Sequence, residues 1–83
     1  MKVTVKYFAS IREALGQGSE TVETSAGSIA ALRDELLARG GAYATSLARG
    51  KAVRAALDRE MSDEAAGLSE GCEVAFFPPV TGG

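Results

Sequence analysis

The 83-residue sequence has no histidine and no tryptophan, one cysteine, and two prolines that stand side by side as Pro78-Pro79. Without histidine there is no Ser-His-Asp or Cys-His activation of a nucleophile, no histidine zinc ligand, and no general base of the usual kind near neutral pH. The lone Cys72 excludes an internal disulfide, cannot build a cysteine-rich metal site, and suits a reducing cytoplasm. No apolar run approaches the roughly 18 residues of a membrane span, and no secretory signal opens the chain, so no membrane partner is expected. Net charge is −2 and the nine basic residues are scattered, which speaks against a nucleic-acid surface. Self-contained catalysis is disfavoured, and no metal or cofactor is expected on the chain. What remains is a 46% apolar, 24% charged sequence, enough for one small domain near the size at which a single core becomes marginal.

Periodicity supplies the elements. Lys2 to Phe8 alternates, predicting a strand with Val3, Val5 and Tyr7 toward the core and Phe8 on the outward set. Ser10-Ile11-Arg12-Glu13 has the spacing of a capping box and predicts a short helix that Gly16 closes. Glu20 to Thr24 is β-branched and alternating, a second strand returning from the first. Ser28 suits the N-cap of the main helix, in which Ile29, Leu32 and Leu36 share one face, and Gly40-Gly41 end it. Tyr43 and Leu47, four apart, predict a short helical turn. Ala52 to Leu57 reads as a third strand, with Asp58-Arg59-Glu60 as a turn and Met61 beyond it. Cys72 to Phe77 is the final strand, which Pro78 terminates because it lacks an N–H. Two strands, a long helix laid across the sheet and further strands describe an α+β domain of the ubiquitin-like β-grasp type, with a mixed sheet, over residues 1–77. Residues 78–83 are expected to form a flexible, extended C-terminal tail.

Adjacent strand residues point to opposite sides, so Phe76 and Phe77 divide between the two faces. Phe76 shares its face with Cys72 and Val74 and is assigned to the core, where Cys72 is an inert packing residue. Phe77 then faces outward beside Phe8, since first and last strands are neighbours in a β-grasp. Met61 joins this exposed apolar patch, which has the character of a partner site. Arg12, Arg39, Arg49, Lys51 and Arg54 are assigned to solvated surface, with Arg49-Gly50-Lys51 available to an acidic partner. The sequence closes on Gly82-Gly83, expected to be a free C-terminus whose two residues without Cβ atoms enter a channel too narrow for any other pair. A carboxylate is a poor electrophile until a partner enzyme converts its oxygen into a leaving group, after which the carbon can pass to a sulfur or nitrogen nucleophile. The candidate reactive residues are Gly83 and, for geometry, Gly82. The candidate partner-binding residues are Phe8, Met61, Phe77, Pro78, Pro79, Val80 and Thr81.

The ending Glu73-Val74-Ala75-Phe76-Phe77-Pro78-Pro79-Val80-Thr81-Gly82-Gly83 resembles that of the small, sulfur-carrier subunits of molybdopterin synthases, the MoaD type. The likeness extends to Val5-Lys6-Tyr7-Phe8-Ala9, Ile11-Arg12-Glu13, Ala31-Leu32-Arg33 and the stretch from Leu68 to Gly71. Cys72 departs from the pattern, standing where many relatives carry a polar or acidic residue. The resemblance implies that an ATP-dependent adenylating enzyme of the ubiquitin-activating type converts the Gly83 carboxylate to an acyl-adenylate. Sulfur from a donor protein then replaces AMP, leaving a thiocarboxylate. The tail enters the active site of the large synthase subunit and donates sulfur to cyclic pyranopterin monophosphate, two donations building the molybdopterin dithiolene. The chain is then the non-catalytic, sulfur-donating subunit of a two-subunit sulfurtransferase, and ATP is used by the activating enzyme. Two alternatives share the fold and the terminus: a sulfur carrier for thiazole synthesis or tRNA thiolation, and a ubiquitin-like modifier joined through Gly83 to lysine amines. The Phe-Phe-Pro-Pro segment favours the synthase.

Overall fold

The computed structural model describes residues 1–79, and Val80, Thr81, Gly82 and Gly83 lie outside the described residues. In chain order the elements are β1 (Lys2–Tyr7), α1 (Ala9–Leu15), β2 (Ser19–Glu23), α2 (Ile29–Leu37), α3 (Gly41–Ser46), β3 (Arg54–Leu57), β4 (Glu60–Ser62) and β5 (Glu73–Phe77). The sheet has five strands in the order β2-β1-β5-β3-β4. β1 and β5 run parallel at its centre, and every other pairing is antiparallel. This is the mixed α+β sheet of a ubiquitin-like β-grasp fold.

Alternation along β1 and β5 decides which face is covered. Val3, Val5 and Tyr7 of β1, with Val74 and Phe76 of β5, are buried against Ile29, Leu32 and Leu36 of α2 and against Leu47. The registers Val5↔Val74 and Tyr7↔Phe76 align the two apolar rows, so a slip by one residue would turn both of them to water. Ser28 caps α2 as expected, its Oγ accepting from Ala31 N at 3.2 Å. Cys72 is free and buried just ahead of β5.

Two local expectations are corrected. The Ser10 capping box does not form: α1 opens two residues earlier, with Phe8 at the N-cap and no side-chain cap. The cause is the ladder. Phe8 N still donates to Phe76 O at 3.2 Å, and Phe8 O accepts from Ile11 N and Arg12 N at 3.1 and 3.3 Å, so the chain turns at once through Ala9, whose φ is 51°. Beyond β3, Met61 lies in a strand, β4, paired through Leu57↔Glu60. Asp58 and Arg59 make the two-residue turn with φ of 49° and 72°, the left-handed pair that this tight hairpin needs. Asp58 is held in place by β5: its N donates to Glu73 O at 2.8 Å and its Oδ1 accepts from Glu73 N at 3.0 Å.

Arg33 is a core-facing arginine of α2, 3% exposed. Its guanidinium donates to Leu47 O at 2.8 Å and Ala48 O at 2.7 Å and meets Glu64 at 2.6 Å. Arg49 closes the same clasp, pairing with Glu64, with Asp34 at 2.7 Å, and donating to Ala30 O at 3.0 Å. Arg49 is exposed, as assigned, and its guanidinium is also paired within the fold. The clasp fixes the turn after α3 that carries Lys51 toward the end of the sheet where β5 finishes.

Candidate functional site

The end of β5 lies between β1 and β3, so Pro78-Pro79 leave the sheet at its centre. Phe77 is half-buried there, and Phe8 is 46% exposed. Their rings meet edge to face, centroids 6.4 Å apart at 83°. Edge contact suits the ring quadrupoles and holds both side chains without a covering layer. Ala75 pairs with Ala56, and Ala56 with Met61, so these three lie in one row on the face away from α2. Both alanines are buried, and Met61 beyond them is 60% exposed. The structure thus brings Phe8 and Phe77 together as expected and sets Met61 on the same face two strands away. Pro78 and Pro79 are half-buried at the edge of a groove of about 340 Å³, bounded by Ile11 and Ala14 of α1 and by Lys51 and Val53. Val80, Thr81, Gly82 and Gly83, the remaining candidates, fall outside the described residues.

The large upward shift of Tyr7 belongs to a second cluster, which the sequence did not disclose. Glu20 of β2 accepts hydrogen bonds from the Tyr7 hydroxyl at 2.8 Å, the Tyr43 hydroxyl at 2.7 Å and Gln17 Nε2 at 3.1 Å, and its other oxygen meets Arg39 at 2.9 Å. Arg39 also lies over the Tyr43 ring, 4.8 Å from its centroid. Burial by itself would raise the Glu20 pKa. The hydrogen bonds from Arg39, Tyr43 and Tyr7 outweigh it and hold the carboxyl below its usual range. Tyr7 is pushed far above the ordinary tyrosine range, by burial first and then by its bond to Glu20. Both Glu20 oxygens and both tyrosine hydroxyls are used in tying β1, β2, α3 and the loop after α2 together, so the cluster is a latch and its carboxylate is no free base. Among the described residues no group of three His, Cys, Asp or Glu side chains is placed to hold a metal ion.

A depressed carboxyl contributes stability that is complete above its unfolded value, about 4.5, and lost as pH falls through the folded value. For Tyr7 the sign reverses: the contribution is complete below the unfolded value of 10.0 and declines as pH rises past it. The melting temperature is expected to fall on both sides of that window. Glu20→Gln should lose about 1–3 kcal/mol at pH 7, the worth of hydrogen bonds to a charged group, and should flatten the acid limb. Thermal melts of both proteins from pH 3 to pH 7 check this, and parallel acid limbs would show that Glu20 is not the titrating group.

The sequence matches the ThiS family over residues 5–83. The chain belongs to the ThiS family. Within it, the molybdopterin synthase sulfur carrier subunit of Escherichia coli (strain K12) is 37% identical over 81 residues, covering 98% of this chain and 99% of that protein. SAMP1 from Haloferax volcanii shares the fold, with a TM-score of 0.79 and 22% identity over the whole of both chains. So does a chain in the protein complex of subunits 1 and 2 of the molybdopterin-converting factor from Helicobacter pylori 26695, with a TM-score of 0.71 at 24% identity, again covering both chains fully. This ThiS-family chain is thus a homologue of molybdopterin synthase sulfur carrier subunits, as the Phe-Phe-Pro-Pro ending implied. No helix among the described residues is long and apolar enough to cross a membrane.

Proposed function

We propose that the chain is the sulfur carrier subunit of a molybdopterin synthase, with Gly83 as its reactive residue and residues 78–83 as a tail outside the domain. The observation that carries this reading is the 37% identity to a curated sulfur carrier subunit along nearly the full length of both proteins. Such a carrier works through its terminal carboxylate. Adenylation by a ubiquitin-activating-type enzyme joins the Gly83 carboxylate to the α-phosphate of ATP and releases pyrophosphate. Sulfur from a donor protein then displaces AMP. The resulting thiocarboxylate is ionised at neutral pH, and ionised sulfur is the nucleophilic form, so a chain without histidine needs no base of its own. ATP belongs to the activating enzyme, and the carrier itself holds no cofactor.

Extended from Pro78 to Gly83, the tail reaches roughly 20 Å at ~3.3 Å per residue, which lets the last carbon enter a partner's pocket while the domain stays outside. Pro78-Pro79 stiffen its base and reduce the entropy lost on threading. Phe8, Phe77 and Met61, on the face left without a helix, anchor the large synthase subunit, and the complex of subunits 1 and 2 from H. pylori supports a partnership of that kind. A free, buried cysteine suits a cytoplasmic setting for these steps.

The test is reconstitution. Protein bearing one sulfur in place of a terminal oxygen, verified by intact mass, is mixed with the large subunit and the pyranopterin precursor, and molybdopterin should form; the carboxylate form should yield none. Replacing Phe8 or Phe77 with alanine should weaken binding to the large subunit by ~1–3 kcal/mol, as truncation of an interface anchor does. A ladder of protein conjugates with no molybdopterin would replace this reading by that of a modifier.

A further inference from the structure

Five of the nine basic residues are spoken for within the fold. Lys6, Arg33, Arg39, Arg49 and Arg59 each approach a carboxylate oxygen at 3.9 Å or less. Arg12, Lys51 and Arg54 do not: all three are exposed and, among the described residues, none has an acidic partner. Their placement is not scattered. Arg54 stands beside Phe77 in the register of β3 and β5. Lys51 lines the groove that Pro78 and Pro79 border. Arg12 shares a depression with Lys6 and Phe8. Two acids do lie in the depression beside Arg54, but both are engaged: Asp63 Oδ1 accepts from Ala65 N at 2.8 Å, and Glu64 is held by Arg33 and Arg49. Lys2, the ninth cation, sits at the opposite end of β1. Of the four basic side chains without a carboxylate partner among the described residues, a chain of net charge −2 therefore keeps three around the point where Pro78 leaves the sheet.

Such a collar gains nothing inside the domain, because like charges gathered on one surface repel. We infer that Arg12, Lys51 and Arg54 form a basic collar that docks on an acidic rim around the channel of the large synthase subunit. This rests on the sulfur-carrier reading. The tail's tip is an anion, and a pocket that accepts it must be positive inside. A negative rim outside that pocket then matches the carrier twice, tip to interior and collar to rim, and rejects other approaches. A carrier that visits more than one enzyme needs rapid encounter without long residence. Charges at the edge of an interface supply that, since they act mainly on association rate, while a central apolar anchor acts on dissociation.

Stopped-flow association of the full-length chain with the purified large subunit, across a range of ionic strength, tests the collar. The wild-type association rate is expected to fall steeply with salt. The variant Arg12→Glu/Lys51→Glu/Arg54→Glu should associate on the order of 10–100-fold more slowly at low salt, with a reversed salt dependence and little change in dissociation. The neutral variant Arg12→Gln/Lys51→Gln/Arg54→Gln should lie between, and all three proteins should melt within a few degrees of one another because the replaced side chains are exposed. A salt-insensitive wild type, or an unslowed charge-reversed variant, overturns the collar and leaves the carrier reading intact. Slowing with the adenylating enzyme alone overturns the assignment to the large subunit. A wild-type chain that binds neither enzyme overturns the carrier reading, and the collar with it.

Discussion

Deleting Gly83 is expected to abolish sulfur transfer and leave folding unchanged. The shortened chain still ends in a glycine carboxylate, that of Gly82, so the chemistry of its terminus is the same. What changes is position. One residue of extended chain is ~3.3 Å, so the activated carbon would stop short of both the adenylating and the sulfur-accepting centres by that distance. A misplacement of about 1 Å can already cost ~10²-fold in rate when reaction depends on near-attack geometry, so the loss should exceed that. Stability should not follow, because among the described residues every buried core position lies at or before Phe76. Parallel measurements of thiocarboxylate formation, molybdopterin yield and urea unfolding separate the two effects. Full product from the truncated chain would end the carrier reading, and loss of product together with loss of fold would move Gly83 into the structural part of the molecule.

The sequence exposed the central part of this structure because the information there is local. One alternating run makes β1, with an unambiguous apolar side; β5 is apolar at every position after Glu73, and there the opposite fates of Phe76 and Phe77 follow from the pleat with Val74 and Cys72 setting the core parity. Ser28 could be seen to start α2 because an N-cap is satisfied by a donor only three residues on. The parts that stayed hidden depend on residues far apart in sequence. Arg33 is buried only because the carbonyls of Leu47 and Ala48 and the carboxylate of Glu64 come to it from 14 to 31 residues away. The same holds for Glu20, whose partners come from residues 7, 17, 39 and 43. β4 escaped notice for a different reason. Its hairpin takes positive φ at Asp58 and Arg59, where the usual glycine or asparagine signal is absent, and contacts from Asp58 to Glu73 sustain the turn instead. Ser10 misled because a capping-box spacing takes no account of the hydrogen bond that keeps Phe8 in the ladder to Phe76.

Phe76→Ala and Phe77→Ala should separate folding from docking more sharply than any other neighbouring pair in the chain. Phe76 has no exposure, sits on the middle strand, and lies opposite Tyr7 on one side and Ala55 on the other. Truncating a buried phenylalanine costs about 3–5 kcal/mol in lost burial and residual cavity. A domain of this size has on the order of 4–12 kcal/mol of total stability at ~0.05–0.15 kcal/mol per residue, so Phe76→Ala should remove a large part of it and leave much of the protein unfolded at moderate temperature. Tyr7 would suffer with it, because its hydroxyl reaches Glu20 only while its ring is packed from below, and the latch between β1 and α3 would loosen. Phe77 faces the other way, half-buried with Phe8 against its ring and Arg54 beside it, so Phe77→Ala should unfold within about 1 kcal/mol of wild type, the usual scale for a surface change that breaks one edge contact. Its loss should appear in affinity for the large subunit. Urea unfolding curves for both variants, set beside binding titrations for any variant that remains folded, give the comparison. If Phe77→Ala unfolded the domain and Phe76→Ala did not, the faces of β5 would be inverted, and the patch formed by Phe8, Phe77 and Met61 would be core packing and not a docking surface.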